Sequence, residues 1–153
     1  MSAVYEVMPR PDWALTTTVA TPPGLTQDPG VWARAIFSAR AVPAWGKALL
    51  AVRQAAVVLV RIPLGRSDML AVDRIVGDEA LIDTDDVHLH FVAGVRAEPG
   101  FVHVTTAVAL KGWRGRLYFA PVRLLHDAIT RSMMEHAVDA LRAESRRRTA
   151  DRS

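Results

Sequence analysis

Two sets of residues have side chains and spacings suited to metal binding or acid–base catalysis. The first set is Asp86, His88 and His90, which alternate along one predicted strand. Alternate residues of a strand project from the same face about 7 Å apart, and imidazole and carboxylate are suitable ligands for zinc or iron. A metal site would need further ligands from another strand, whereas a solvated polar face needs none. We therefore expect a solvated outer face and no metal, with these three residues as the alternative metal site.

The second set is His126 with Tyr118, which both fall on a predicted C-terminal helix. Histidine titrates near neutral pH, so His126 can act as a general acid or base, with Tyr118 as the complementary group. A helical histidine that is hydrogen-bonded to a carbonyl or to water is the commoner case, and no nucleophile or carboxylate partner is defined. The two residues remain the candidate catalytic pair of an enzyme hypothesis.

Trp113 lies between basic residues in the segment KGWRGR, which we interpret as a loop at the edge of a sheet. An aromatic side chain at the edge of the sheet can gate a cavity, contact a partner or cover the core.

Gly112 and Gly115 lack the loop length and the lysine of a phosphate-binding loop. No serine, histidine and aspartate occur in the sequence motifs of known hydrolases. The chain has no cysteine, which excludes a thiolate nucleophile, disulfides and Cys-based zinc sites. We expect no cofactor.

The first part of the chain predicts one strand followed by two short helices. Residues 13–20 are rich in β-branched side chains and are followed by the breaker Pro22-Pro23-Gly24. Asp28 as N-cap and Pro29 in the first turn begin the first helix, and the apolar stripe of residues 45–56 indicates the second.

The second part predicts an antiparallel meander and one long helix. The apolar period becomes two from Met69 onward, with strands near 69–76, 79–84, 87–97 and 101–110. A two-residue loop at Pro99-Gly100 would pair Glu98 with Phe101. The resulting register gives an apolar face that should meet the last helix, and a polar face with His88, His90, Arg96, His103 and Lys111. That helix should run from Leu117 to about Glu144, with Pro121 in its first turns.

Length and composition favour one folded domain over residues 1–144 and a basic, disordered tail over residues 145–153. The chain has 153 residues, of which 50% are hydrophobic, too many for a disordered protein. Residues 142–153 contain five arginines against Glu144 and Asp151, so five minus two gives the whole net charge of +3. A neutral body argues against nucleic-acid binding. No apolar run reaches the roughly 20 residues that cross a bilayer, and no secretory signal is evident, so we expect no membrane insertion and a cytoplasmic location.

The order of elements resembles the helix-grip superfamily of START-like and polyketide-cyclase-like (SRPBCC) proteins. The segments DDVHLHFVAGV, VTTAV and GRLYFAPVRLLHDAITRSMM also resemble an uncharacterised bacterial family of domains of unknown function near that superfamily. The resemblance implies an α+β, helix-grip-like fold with the sheet curved around the C-terminal helix and an apolar cavity between them. The implied lining residues are Phe91, Val95, Val104, Thr106, Tyr118, Val122, Leu125 and Ile129. About five strands are fewer than the full helix-grip sheet has, so three alternatives stay open for this cavity: it is shallow, filled by side chains, or absent.

Three functions follow as hypotheses. The leading one is binding of a small apolar or amphipathic ligand in the cavity, and finding the apolar face filled by core side chains would count against it. The second is a protein-protein interaction module that uses Trp113 and the basic tail, which predicts a homodimer or a partner complex. The third is a cyclase-like or dehydratase-like enzyme that uses His126 and Tyr118.

Overall fold

The computed structural model of the protein describes residues 2–38, 72–87 and 89–151. These residues form three helices and five strands, and the α+β class and the long C-terminal helix agree with the sequence prediction. The elements are α1 (Val4–Val7), β1 (Trp13–Ala20), α2 (Pro29–Ile36), β2 (Arg74–Val76), β3 (Glu79–Asp85), β4 (Leu89–Glu98), β5 (Phe101–Leu110) and α3 (Gly112–Ala150).

The strand β1 begins and ends, and the helix α2 begins, where local sequence signals predict. The strand covers Trp13–Ala20, as its β-branched run predicts. The Asp28 carboxylate accepts hydrogen bonds from the amides of Gly30 (2.8 Å) and Val31 (3.1 Å), so Asp28 is the N-cap of α2. The second predicted helix, over residues 45–56, lies outside the described residues.

All five strands are antiparallel, in the order β1-β5-β4-β3-β2. The hairpin register is confirmed, since Glu98 lies opposite Phe101 and Arg96 opposite His103. Gly100 has a φ of +88° in the two-residue turn, a conformation that favours glycine. The predicted start of β4 was wrong. Val87 precedes the strand, with 69% of its surface exposed, and contributes nothing to the apolar face.

One face of the sheet packs against α2 and the second half of α3. Trp32 and Ile36 of α2 are fully buried, and the Trp32 indole N–H donates to the carbonyl of Thr26 (2.7 Å). The remaining buried members of this cluster are Ala33, Ala80, Val95, Val102, Val104, Met133, Met134, Ala137 and Val138. The apolar face therefore meets the last helix, as the alternation of residues predicts.

The helix α3 is longer than predicted at both ends. The segment KGWRGR is not a loop, because the helix begins at Gly112 directly after Lys111. Pro121 consequently lies inside the helix, where it lacks the N–H that would donate to the carbonyl four residues earlier. At the other end the helix continues beyond Glu144 to Ala150, through most of the segment that was expected to be a disordered tail.

The opposite face of the sheet is not the solvated surface that the alternation indicated. The helix α1 lies on it, and Val4 and Met8 are buried against Leu81, Val92 and Ala107. The alternation of residues along the strands assigned the polar side chains to the correct face. However, the residues of α1 cover the middle of this face. Among the described residues, no helix is long and apolar enough to cross a membrane.

A buried carboxylate holds α1 in place. The side chain of Glu79 is 3% exposed and accepts hydrogen bonds from the Ala3 amide and the Ser2 hydroxyl, both at 2.6 Å. Gly94 leaves the space for this side chain, because a Cβ there would lie 2.0 Å from the Glu79 Oε1 atom.

Candidate functional site

The first half of α3 lies along the edge strand β1. The Trp13 ring makes edge contacts with Phe119, at a centroid distance of 5.2 Å, and with His126, at 4.9 Å. Further along the same strand, the Thr17 hydroxyl donates to the Asp127 carboxylate (2.7 Å). We call these five residues the α3–β1 interface. It places the His126 imidazole against one aromatic ring and next in sequence to the Asp127 carboxylate.

His126 is held in a state that favours the neutral imidazole. Burial lowers its pKa below the ordinary value, and the negative charge of Asp127 opposes this effect only in part. The Nδ1 atom shares a hydrogen bond of 3.3 Å with the Thr130 hydroxyl, whereas the Nε2 atom has no hydrogen-bond partner among the described residues. A neutral imidazole with one available nitrogen can bind a polar group or transfer a proton.

Thr106 places a second polar group on the same side of the sheet. Its surface is 2% exposed, and it lies between Leu15 on β1 and Ala93 on β4. Within the part of the chain that the structure describes, its hydroxyl has no hydrogen-bond partner, although a buried hydroxyl normally has one. The neighbouring Thr105 shows the usual situation, since its hydroxyl bonds to that of Thr16 (3.0 Å).

The structure divides the predicted lining residues into two groups. Val95 and Val104 are fully buried in the cluster formed with α2 and the second half of α3, so the sheet is filled by core side chains there. Ile129 packs at the edge of that cluster. Phe91, Val122 and Leu125 are half-buried and, with Thr106, lie outside it.

Tyr118, the other candidate catalytic residue, lies on α3 eight positions before His126. At 1.5 Å of rise per residue, the two positions are about 12 Å apart along the helix axis. The pairing of Tyr118 with His126 as acid and base therefore stays a prediction.

The structure describes two of the three residues of the alternative metal site, Asp86 and His90. His90 donates from Nε2 to Asp83 on the neighbouring strand (2.7 Å), and Asp86 accepts a hydrogen bond from the amide of Val87. Asp86 lies before β4 and does not alternate with His90 on it, and His88 is outside the described residues. In those residues no group of three His, Cys, Asp or Glu side chains is arranged to hold a metal ion.

A hydroxyl–imidazole–carboxylate relay lies on the opposite face of the sheet. The Thr18 hydroxyl and His103 Nδ1 share a hydrogen bond (2.9 Å), and His103 Nε2–H donates to the Glu98 carboxylate (2.8 Å). The order of groups is that of a catalytic triad. Sequence reasoning missed it because the pairing of β1 with β5 joins residues that are 85 positions apart.

A cleft that borders Glu98 of this relay does not include Thr18 in its lining. It has a volume of about 250 Å³ and is lined by residues 21–27, Trp32 and the hairpin residues 98–101. Glu98 therefore faces the cleft, whereas Thr18 is not part of its lining. Because nucleophilic catalysis needs a hydroxyl within reach of the substrate, we assign no catalytic role to the relay.

Comparisons with known proteins assign most of the chain to one family. No curated protein and no solved structure is significantly similar to the chain. A family model described as "Protein of unknown function (DUF2867)" matches residues 10–133, which include all five strands and the half of α3 that carries His126. The chain is therefore a member of the DUF2867 family of proteins of unknown function.

Proposed function

We propose that the protein binds a small apolar or amphipathic ligand between the sheet and the first half of α3. The observation that carries the proposal is a pair of polar groups, the Thr106 hydroxyl and the His126 Nε2 atom, which have no hydrogen-bond partner among the described residues of this apolar region. Buried polar groups are costly when they are not hydrogen-bonded. A ligand with one polar end would supply the missing partner.

The distribution of burial supports the same location. Val95 and Val104 pack in the core cluster with α2 and the second half of α3, so they are not part of the proposed ligand site. Phe91, Val122 and Leu125 are incompletely buried, and ligand sites are commonly lined by such apolar residues around a few polar groups.

The resemblance to helix-grip proteins supports the proposal independently, since their ligands lie between the sheet and the C-terminal helix. We propose membership of this superfamily, and an origin in the bacterial cytoplasm, on that resemblance. The strand order and the long helix are compatible with it, but fold similarity by itself does not establish a function.

Titration with a dansyl-labelled undecanoic acid tests the proposal. This probe has an apolar chain, a polar end and a fluorescence that increases when it leaves water. We expect saturable binding to the protein, and about a tenfold loss of affinity in Leu125→Trp, where the larger side chain would occupy the site.

The matched control is Leu124→Trp, the same substitution at the adjacent position, where 77% of the side chain is exposed. This variant should retain the affinity of the original protein. Thermal unfolding of both variants shows whether they are folded. No saturable binding, or equal binding by the two variants, would contradict the proposal.

A further inference from the structure

The first half of α3 has a second apolar side that the described residues leave uncovered. Trp113, Leu117 and Leu124 are 68%, 66% and 77% exposed. Their spacings of four and seven residues place them on one side of a helix, since each residue turns by about 100°. Phe119 and His126, which contact Trp13, point to the opposite side. We call the three exposed residues the outer stripe.

Arginines flank the outer stripe on both sides. Arg116 and Arg123 lie on one flank and Arg114 on the other, and all three are exposed. Residues 111–126 contain no Asp or Glu, so these arginines are uncompensated within the segment. The remaining cation of the segment, Lys111, forms an ion pair with Asp85.

The positive charges of the three arginines indicate which kind of surface can cover the outer stripe. A second copy would bring the same arginines to the flanks of the shared interface, where like charges repel. A surface with dispersed negative charge and an accessible apolar layer satisfies both the arginines and the stripe. An anionic lipid bilayer has these properties, and helices with basic and apolar sides, including tryptophan, lie in its headgroup region.

We propose that the outer stripe docks the protein on the surface of an anionic lipid membrane. The helix lies along the headgroups, with Trp113, Leu117 and Leu124 in the acyl boundary and the three arginines at the lipid phosphates. The stripe is about 16 Å long from Trp113 to Leu124, so it lies on the bilayer and does not cross it. Acidic residues return to the helix from Asp127 onward, which confines the contact to its first half.

Co-sedimentation with lipid vesicles tests this surface separately from ligand binding in the interior. We expect the protein to sediment with vesicles of phosphatidylcholine and phosphatidylglycerol, but not with vesicles of phosphatidylcholine alone, and to be released by added salt. Each arginine near an anionic surface contributes about a fivefold factor in partitioning, so Arg114→Gln/Arg116→Gln should bind about 25-fold more weakly. Trp113→Ala should lose about tenfold.

Two variants of the same chain serve as matched controls. Arg146→Gln/Arg147→Gln removes the same charge from the exposed far end of α3, and Phe101→Ala removes an exposed aromatic side chain from the hairpin. Both should retain nearly full binding. Losses equal to those of the stripe variants would indicate nonspecific attraction and overturn the proposal.

Two other outcomes also overturn it. One is equal sedimentation with neutral vesicles. The other is a dimer in sedimentation equilibrium that Trp113→Ala converts to a monomer, which would identify a second copy as the partner. If Leu125→Trp loses probe binding but still binds vesicles, membrane docking by the outer stripe is independent of the ligand site.

Discussion

The indole of Trp13 lies edge-on against the imidazole of His126, with ring centroids 4.9 Å apart and an interplanar angle of 69°. This contact joins the edge strand of the sheet to the first half of α3. The imidazole is also largely removed from water, and this burial lowers its pKa and favours its neutral form. The predictions for His126 below start from this arrangement.

The pH dependence of stability should reflect His126. Because burial lowers its pKa in the folded protein, the unfolded chain binds this proton more tightly than the folded protein does. The free energy of unfolding should therefore fall as pH decreases through about 6.5, the ordinary pKa of histidine, until the folded pKa is passed. His126→Gln should show a smaller decrease than the original protein in urea unfolding between neutral and mildly acidic pH.

His136→Gln is the control for this effect, since His136 is exposed on the same helix. Its unfolding should follow the pH dependence of the original protein. An unchanged pH dependence in His126→Gln would contradict the assigned pKa shift.

Two adjacent threonines should respond in opposite ways to the same substitution. Thr106→Val removes a buried hydroxyl that has no partner among the described residues, so the ligand-free protein should gain about 1 kcal/mol of stability. Thr105→Val breaks the hydrogen bond to Thr16 and should lose about 1 kcal/mol. Urea unfolding of both variants makes the comparison. A loss in Thr106→Val as large as in Thr105→Val would show that the Thr106 hydroxyl is already satisfied.

The close approach of Glu79 to Gly94 should make an added methyl group costly. A Cβ at position 94 would lie 2.0 Å from the Glu79 carboxylate and 2.7 Å from a methyl carbon of Val4. Gly94→Ala should therefore lose about 2 kcal/mol of stability, because the carboxylate must move away from the Ala3 amide.

A double-mutant cycle isolates this contact. Glu79→Ala alone should also destabilise the protein, because the amide of Ala3 loses its acceptor. The double variant should be less destabilised than the sum of the two single changes, since one change removes the clash that the other creates. Strictly additive losses would show that Glu79 does not lie over Gly94 in solution.

Local signals in the sequence were sufficient for several elements. The β-branched run predicted β1, the side chain and position of Asp28 predicted the start of α2, and the Pro99-Gly100 turn predicted the register of β4 with β5. Each of these features depends on residues that are close together in the chain, which is why a pattern can predict it.

Features that depend on distant residues were missed or misjudged. The coverage of the outer sheet face by α1 depends on Glu79, which is 76 positions from Ala3. The glycines and Pro121 indicated a loop and a later helix start, because their intrinsic preferences oppose helix formation. Anchoring of Phe119 and His126 on Trp13 favours helix over those preferences, and such tertiary contacts are invisible to local patterns.

The sequence predicted which elements carry Thr106 and His126, whereas the ligand site that these residues would form stays a prediction. The alternation of β4 and β5 placed Thr106 on the helix-facing side, and the period of α3 placed His126 near the sheet. The absence of a described hydrogen-bond partner for Thr106 depends on what surrounds its side chain in three dimensions. The spacing of residues along the chain cannot predict whether this hydroxyl has a hydrogen-bond partner.

The most direct test of the ligand site is native mass spectrometry of the protein with the dansyl-labelled fatty acid, beside the Leu125→Trp and Leu124→Trp variants. We predict one bound probe molecule on the original protein and on Leu124→Trp, and a bare Leu125→Trp. A bare original protein at saturating probe, or equal occupancy of the two variants, would contradict a ligand site between the sheet and the first half of α3.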